Sequence, residues 1–279
     1  MKGKPSPSEG MPPAKPEAAG LKAAINVVVP LCALAIKIAL WEWVVQAWQI
    51  PPYKLPAPSA IWATLVQDWD VLFPSFVTTL RITLLSLVTA VATGVLLAIA
   101  FTRSRLIELS FSDIVVILQV TPLVAIAPLL IIYFGEQATV YIAATIVAFF
   151  PILSNTMTGL RSTDHGLVNL FQLYGANGWQ RLVRLELPNA LPYFLTGLRI
   201  ASGLALIGAI VAEFVAGSAG QGSGLAFRIV ESGYRLNIPR MFAALLMISF
   251  AGVVLYFGFA FVSHMALRKW HESALKREN

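Results

Sequence analysis

Four polar side chains lie within or next to long apolar stretches of this sequence, where they are suited to binding a polar solute: Gln119, Thr121, Asn155 and Glu213. The first three lie within four residues of a proline, and a proline inside a membrane helix frees a backbone carbonyl. Glu213 has no charged neighbour in sequence, and an ionisable group in such a stretch is by default a functional candidate. These four residues are the predicted solute path. The alternatives are a kinked packing helix for the first three and an interfacial glutamate for Glu213.

Patterns for catalysis or metal binding are missing from the sequence. The histidines His165, His264 and His271 lie apart from any Asp or Glu cluster, which argues against a membrane enzyme. The single cysteine, Cys32, cannot form a disulfide within the chain, and no Cys/His zinc spacing is present. The glycine-rich segment 217–224 lacks the Lys-Ser/Thr that follows a phosphate-binding loop. We therefore predict no catalytic residue, no metal ligand and no cofactor held by this chain.

The composition indicates a membrane protein that crosses the bilayer several times. Of 279 residues, 57% are hydrophobic and only 12% are charged, whereas a soluble domain has roughly 25% charged residues. Several apolar runs approach the ~20 residues that a membrane helix needs. The predicted fold class is an all-α membrane protein with six transmembrane helices, at about residues 23–47, 76–102, 111–134, 138–160, 196–215 and 241–264.

The segments outside these spans have distinct compositions. Residues 1–22 are rich in Pro, Gly and charge and are predicted to form a disordered tail. Residues 23–73 hold the first span and a proline-rich external segment. Residues 74–264 form the predicted core, and residues 265–279 form a second tail.

The segment between the fourth and fifth predicted spans, residues 161–192, is amphipathic and has mixed charge. Asp164 and the two residues before it can cap a helix. Apolar residues then recur at spacings of three and four, which places them on one helical face, and Gly175 can end that helix. They are Leu167, Leu170, Phe171 and Tyr174. A second short run, 179–186, is predicted to stop at Pro188. This apolar face is covered either by its own protein or the lipid headgroups, or by a partner protein.

The distribution of lysine and arginine predicts the orientation. With six spans and the N-terminus inside, far more of these residues lie on the inner side than on the outer side, so both ends are predicted to be cytoplasmic. The inner ones are Lys2, Lys4, Lys15, Lys22, Arg103, Arg105, Arg161, Arg181, Arg184, Arg268, Lys269, Lys276 and Arg277. The outer ones are Lys54, Arg228, Arg235 and Arg240.

The 161–192 loop also resembles the "EAA" coupling loop of ABC-importer permeases, the segment that sits in a cleft of the ATPase subunit. The matching pieces are Asn169-Leu170-Phe171, then Gly175, then Leu185-x-Leu187-Pro188. The chain departs from the family at the triplet, where Asn169 replaces the usual glutamate. The resemblance implies that Leu187 and Pro188 belong to the coupling region together with Leu167, Leu170, Phe171, Tyr174 and Gly175.

From about Pro56 onward, the chain is similar to the nitrate/sulfonate/taurine-type branch of these permeases, and also to hydroxymethylpyrimidine-type permeases. The pieces that carry this likeness include Thr121-Pro122-Leu123, Phe149-Phe150-Pro151-Ile152 and Val211-x-Glu213. The resemblance implies a type I ABC-importer permease fold in the bacterial inner membrane. The implied cargo is a small polar solute such as nitrate, a sulfonate or taurine, or a pyrimidine precursor.

The resemblance further implies a set of partners. They are a cytoplasmic ABC ATPase dimer that binds the ATP, a periplasmic or lipid-anchored substrate-binding protein, and a second permease copy, by default identical. The rival interpretation is a secondary transporter driven by an ion gradient, which would need inverted repeats and paired broken helices. No internal repeat is visible in the sequence, and that interpretation leaves the structured loop unexplained.

Overall fold

The computed structural model describes residues 16–216 and 223–268, and these residues are mostly helical. The chain divides into two compact units, residues 1–60 and 61–279. The helices are α1 (Pro16–Ala47), α2 (Pro58–Gln67), α3 (Trp69–Arg103), α4 (Arg105–Val120), α5 (Leu123–Phe134), α6 (Glu136–Arg161), α7 (His165–Leu173), α8 (Gly178–Arg181), α9 (Leu187–Ala216), α10 (Leu225–Tyr234) and α11 (Ile238–Leu267). The sequence prediction of an all-α membrane fold is confirmed.

The first unit contains α1 and the start of α2. Residues 28–47 of α1 are long and apolar enough to cross a bilayer, and the helix ends at the predicted Ala47. Glu42 accepts hydrogen bonds from the backbone N of Ser59 at 3.0 Å and from its Oγ at 2.7 Å. Helix α1 already begins at Pro16, within the predicted tail, and residues 1–15 of that tail lie outside the described residues.

Among the described residues, five helices are long and apolar enough to span a membrane, and a sixth span is formed if α4 and α5 count as one broken helix. These two helices meet at an angle of 106°. The break falls at Thr121 and Pro122, both in extended backbone conformation. The residue before a proline is disfavoured in helical geometry, which explains why the helix is interrupted at Pro122. Helix α5, in contrast, continues through Pro128.

The core of the second unit is built where α3, α6 and α9 approach each other closely. A row of small residues on α9 (Gly197, Ala201, Ala205 and Ala209) is buried. A Cβ added to Gly197 would lie 2.7 Å from the backbone O of Pro151 and 2.9 Å from the Cβ of Asn155. Small residues at this spacing therefore let α9 pack directly on α6.

The second helical run of the 161–192 loop does not end at Pro188, as the sequence predicted, but continues past it. A five-residue π-helical turn, Leu182–Glu186, follows α8 and leads without a break into α9. Pro188 is thus the second residue of α9, within one continuous helical run from Gly178 to Ala216. The prediction was wrong because the π-helical turn before Pro188 changes the backbone hydrogen-bond pattern, so that the helix passes a residue that has no N–H to donate.

Candidate functional site

Helix α7 has the boundaries that the sequence predicted. The Asp164 side chain caps its start by accepting a hydrogen bond from the backbone N of Leu167 at 3.1 Å. At its end, Gly175 adopts a φ of +69°, in the left-handed region that favours glycine. The backbone N of Ala176 then donates to the O of Phe171 at 2.9 Å, which satisfies a carbonyl of the last turn.

One face of α7 presents apolar side chains to the surroundings. Leu167 is 47% exposed, Leu170 45% and Tyr174 84%, while Phe171 is half-buried. A groove of about 360 Å³ runs between this face and the start of the next segment, lined by Leu170, Phe171, Tyr174, Ala176, Gln180 and Arg184. The structure therefore brings together three of the predicted coupling residues around one surface groove.

Leu187 and Pro188 lie apart from that groove. Leu187 is half-buried and packs against the buried cluster that includes Phe101 and Leu160. It also lines a separate, almost wholly apolar cavity of about 610 Å³ together with Val91 and Phe194.

The loop is fastened to the membrane helices by side chains that the sequence reading did not select. The Asn189 amide, near the start of α9, donates to the O of Gly159 at 3.3 Å and to the Oγ of Ser162 at 3.2 Å. Asn177 and Gln180 form a reciprocal capping box at the start of α8. The loop between α6 and α9 is thus an ordered segment that side-chain hydrogen bonds hold in place.

Glu186 is the most buried charge of this loop and was also missed. Its Oε1 accepts a hydrogen bond from Arg181 Nε at 2.8 Å, and its Oε2 accepts one from a guanidinium N–H of Arg103. Glu186 is only 8% exposed. A signal for Glu186 was present in the sequence, because its neighbours Leu185 and Leu187 are apolar and indicate a buried position. A buried charge needs a partner of opposite charge.

Three of the four predicted path residues line one cavity. It has a volume of about 420 Å³ and is named here the Asn155 cavity. It is lined by Leu118, Gln119, Thr121, Leu123, Ile126, Ile146, Val147, Phe150, Pro151, Ser154, Asn155, Ile200 and Leu204. The break between α4 and α5 brings Gln119 and Thr121 to this wall. Asn155 donates its amide to the O of Pro151 at 2.8 Å, which leaves its side-chain oxygen as the group available to a solute.

Glu213 lies elsewhere. Its carboxylate accepts a hydrogen bond from Thr79 Oγ1 at 3.0 Å and another from the backbone N of Ala226 at 3.0 Å. Thr79 Oγ1 also accepts from the backbone N of Leu225 at 2.9 Å, so both side chains satisfy the first turn of α10. Glu213 is 2% exposed.

A second polar cavity borders Glu213. It has a volume of about 390 Å³ and is named here the Arg81 cavity. Its lining includes Thr78, Arg81, Gln137, Tyr141 and Glu213. Within residues 16–216 and 223–268, no group of three or more His, Cys, Asp or Glu side chains could hold a metal ion.

Membrane-length helices around internal polar cavities, joined by a structured loop with an exposed apolar face, define a multi-pass membrane transport component. Residues 90–268 match the family described as "Binding-protein-dependent transport system inner membrane component". The chain belongs to this family. It is therefore the permease subunit of an ABC importer and not an enzyme, and it is a multi-pass membrane protein of a bacterial inner-membrane type.

The comparisons with individual proteins agree with this assignment. The chain is 31% identical over 248 residues to the formylaminopyrimidine transport permease protein ThiX of Halalkalibacterium halodurans, covering 88% of this chain and 96% of that one. It is 28% identical over 254 residues to the taurine transport system permease protein TauC of Escherichia coli, covering 88% and 90%. A solved structure of the inward-facing MetNI methionine ABC transporter matches with a TM-score of 0.60 at 20% identity, covering 74% of this chain and 99% of that one, which supports the fold.

Proposed function

We propose that this chain forms the membrane path of an ATP-driven importer for a small polar heteroaromatic solute of the pyrimidine-precursor type. In this proposal, two identical copies work together with a cytoplasmic ATPase dimer and with a periplasmic or lipid-anchored binding protein. The observation that carries the proposal is the Asn155 cavity, whose polar groups are all uncharged.

The chemistry of this cavity favours a neutral ring over an anion. Its polar side chains are Gln119, Thr121, Ser154 and Asn155, and the other described lining residues are apolar. Amide and hydroxyl groups can exchange hydrogen bonds with ring nitrogens and amino groups, while Phe150 offers an aromatic surface for packing. A nitrate or a sulfonate would find no cationic side chain among the lining residues to replace its hydration. The 31% identical relative is named for formylaminopyrimidine transport, which supports the same class.

The size of the cavity suits this class of solute. A volume of about 420 Å³ lies at the lower end of the ~300–1,000 Å³ that is usual for small-molecule sites. Its walls come from α4, α5, α6 and α9, so relative motion of these helices would change access to the solute.

The exposed face of α7 supports docking of the ATPase. The side chains of Leu167, Leu170 and Tyr174 are exposed, and Leu170 and Tyr174 line a groove together with Phe171. Exposed apolar side chains on a structured loop are suited to a protein contact. The distribution of lysine and arginine predicts that this loop is cytoplasmic, on the side where ATP is bound.

Transport then follows from a two-state equilibrium. ATP binding closes the ATPase dimer and moves α7, and the 161–192 loop carries this motion into α6 and α9. The path opens outward to receive solute from the binding protein, and hydrolysis returns it to the inward state. ATP and solute each act by binding one of the two states more tightly than the other.

The test is reconstitution of the chain in liposomes with the ATPase and the binding protein encoded beside it. ATP hydrolysis is measured with pyrimidine precursors, with alkyl sulfonates including taurine, and with nitrate. We expect stimulation by the pyrimidine precursors. Stimulation by the anions alone would overturn the solute class and direct attention to Arg81 in the second cavity. Failure of any ATPase to bind the intact chain would overturn the assignment of α7 as the docking helix.

A further inference from the structure

We propose that Glu186 is the mechanical link between the 161–192 loop and α3, so that motion imposed on α7 and α8 reaches α3 through the Arg181–Glu186–Arg103 contact. This inference rests on the proposed function, because it assumes an ATPase docked at α7. Glu186 is a positioning residue, since it lines neither of the two polar cavities.

The path of the chain gives α3 no direct backbone connection to the loop. The 161–192 loop continues directly from α6 and leads directly into α9, so both helices follow the loop through the backbone. Helix α3 instead ends at Arg103 and is followed by α4. Its end near the loop can therefore follow the loop only through non-covalent contacts. Yet α3 carries Thr78 and Arg81 on the wall of the Arg81 cavity, so its position affects that cavity.

The geometry of Glu186 suits this role. Each carboxylate oxygen has its own guanidinium partner, Arg181 on Oε1 and Arg103 on Oε2. Arg103 is the last residue of α3, and Arg181 is the last residue of α8. One carboxylate thus joins the ends of two elements that the backbone does not connect. Because the pairs are charge-assisted and Glu186 is mostly shielded from water, they resist separation better than exposed pairs do.

Apolar packing accompanies this ion pair. Leu182, at the start of the π-helical turn, is 2% exposed and belongs to a buried cluster with Ala98 and Phe101 of α3. Apolar contacts of this kind are non-directional, whereas the hydrogen-bonded ion pair between Glu186 and Arg103 sets a distance and an orientation. The π-helical turn Leu182–Glu186 changes the helical register just before Glu186, and π turns occur frequently at functional positions.

A neighbouring ion pair on the same side of the bundle provides a matched control. Arg105 contacts Glu108 at 3.0 Å within a single turn of α4, and Glu108 keeps a second partner in Arg161 at 2.8 Å. Arg105→Gln therefore removes an arginine–glutamate pair of similar length without breaking a connection to the 161–192 loop.

The experiment follows α3 and α6 separately in the complex with the ATPase, in a Cys32→Ser chain. Thr78→Cys reports on α3 and Gln137→Cys on α6, and both residues line the Arg81 cavity. Labelling by a membrane-impermeant maleimide is compared without nucleotide and after trapping with Mg-ATP and vanadate. We expect Glu186→Gln to reduce the ATP-driven change at Thr78→Cys by about fivefold or more, in the range of ordinary coupling effects. The change at Gln137→Cys and the amount of trapped nucleotide should stay the same, and Arg105→Gln should alter neither labelling change.

A second pair of variants covers the case in which Glu186→Gln does not assemble. Arg103→Gln removes one partner while Glu186 stays paired with Arg181, and Arg103→Lys restores a charged donor. We expect Arg103→Gln to reduce the ATP-driven change in labelling at Thr78→Cys and Arg103→Lys to restore much of it. A purely structural role of Arg103 would not require this recovery.

The outcomes separate this inference from the proposed function. If neither cysteine responds to trapping in the otherwise unchanged complex, the proposed coupling to an ATPase is wrong. If both respond and Glu186→Gln leaves the response at Thr78→Cys intact, only the link through Glu186 is wrong. Loss of the response at both positions, with nucleotide still trapped, would also overturn a role specific to α3.

Discussion

Gly175 follows the end of α7, the helix whose exposed face is the surface proposed for docking. Its φ of +69° is in the left-handed region, and nothing lies within 4 Å of the position that a Cβ would occupy. A side chain here is therefore penalised by backbone strain, by roughly 1–2 kcal/mol, and not by a clash within the chain. A large side chain would in addition extend toward the groove lined by Leu170 and Tyr174.

We expect Gly175→Trp to uncouple transport from ATP hydrolysis while the chain still inserts into the membrane. A tryptophan adds backbone strain and places a bulky ring beside the groove lined by Leu170 and Tyr174. Gly175→Asn is the control, because asparagine tolerates the left-handed region and is smaller. Solute uptake by whole cells measures the effect, and normal uptake by Gly175→Trp would contradict the docking assignment.

Asn155 is the residue whose removal tests the proposed solute path. We expect Asn155→Leu to lower solute-stimulated ATP hydrolysis about tenfold at limiting solute, as loss of ~1.4 kcal/mol from one hydrogen bond predicts. Thr158→Val is the control on the same helix, because Thr158 is exposed and its Oγ1 bonds only the O of Ser154. Equal activities of the two variants would remove Asn155 from the path.

The sequence identifies polar residues near prolines more readily than it identifies which of them lie close together in space. Gln119, Thr121 and Asn155 were selected because they are polar groups near prolines, and the structure gathers them at one cavity. That meeting depends on the 106° angle between α4 and α5, and the presence of Pro122 alone does not give the size of the angle. Glu186 was missed because its two partners lie in separate segments, at Arg103 and Arg181, and periodicity within one helix contains no such information.

At the scale of elements, helix α10 is held at its first turn by side chains from two other helices. Thr79 of α3 and Glu213 of α9 accept the backbone N–H groups of Leu225 and Ala226. A Cβ on Gly224 would collide with the Glu213 carboxylate, so this glycine leaves the room that the contact needs. The start of α10 is thereby fixed to the core helices by hydrogen bonds.

This arrangement separates two roles for Glu213. We expect Glu213→Gln to keep both stability and transport, because an amide oxygen still accepts the N–H of Ala226. Glu213→Ala should lose about 1–3 kcal/mol of stability, since it leaves that buried N–H without its partner. Thermal unfolding in detergent measures the stability of both variants, and solute uptake measures their transport. Loss of transport in a stable Glu213→Gln protein would instead support the predicted role of an ionisable group in the solute path.

Helix boundaries were predictable where composition changes abruptly and less so where prolines lie near helix ends. The end of α1 at Ala47 and the bounds of α7 follow from local signals. The start of α9 does not, because the π-helical turn joins two segments that a proline was predicted to separate. Whether the two segments join depends on backbone hydrogen bonds between neighbouring turns, and residue types alone do not specify these bonds.

At the scale of the whole molecule, the orientation of the chain remains a prediction from charge. We expect Asn177→Cys, in a Cys32→Ser chain, to react with a membrane-impermeant maleimide only after the membrane is opened. Leu236→Cys should react in intact spheroplasts, because it follows α10 on the predicted outer side. Both residues are exposed, so failure of either to react has no steric explanation within the chain. The reverse pattern would invert the topology and overturn docking of a cytoplasmic ATPase at α7.

The apolar face of α7 also has a consequence for biogenesis. Leu173 is 85% exposed and Tyr174 84%, so a newly inserted copy exposes apolar side chains at the end of α7 until, in the proposed complex, the ATPase covers them. Exposed apolar surfaces of this kind promote aggregation. On the docking proposal, synthesis of this chain in excess over its partners would yield copies that aggregate or are degraded, so balanced production of the subunits would depend on a single nine-residue helix.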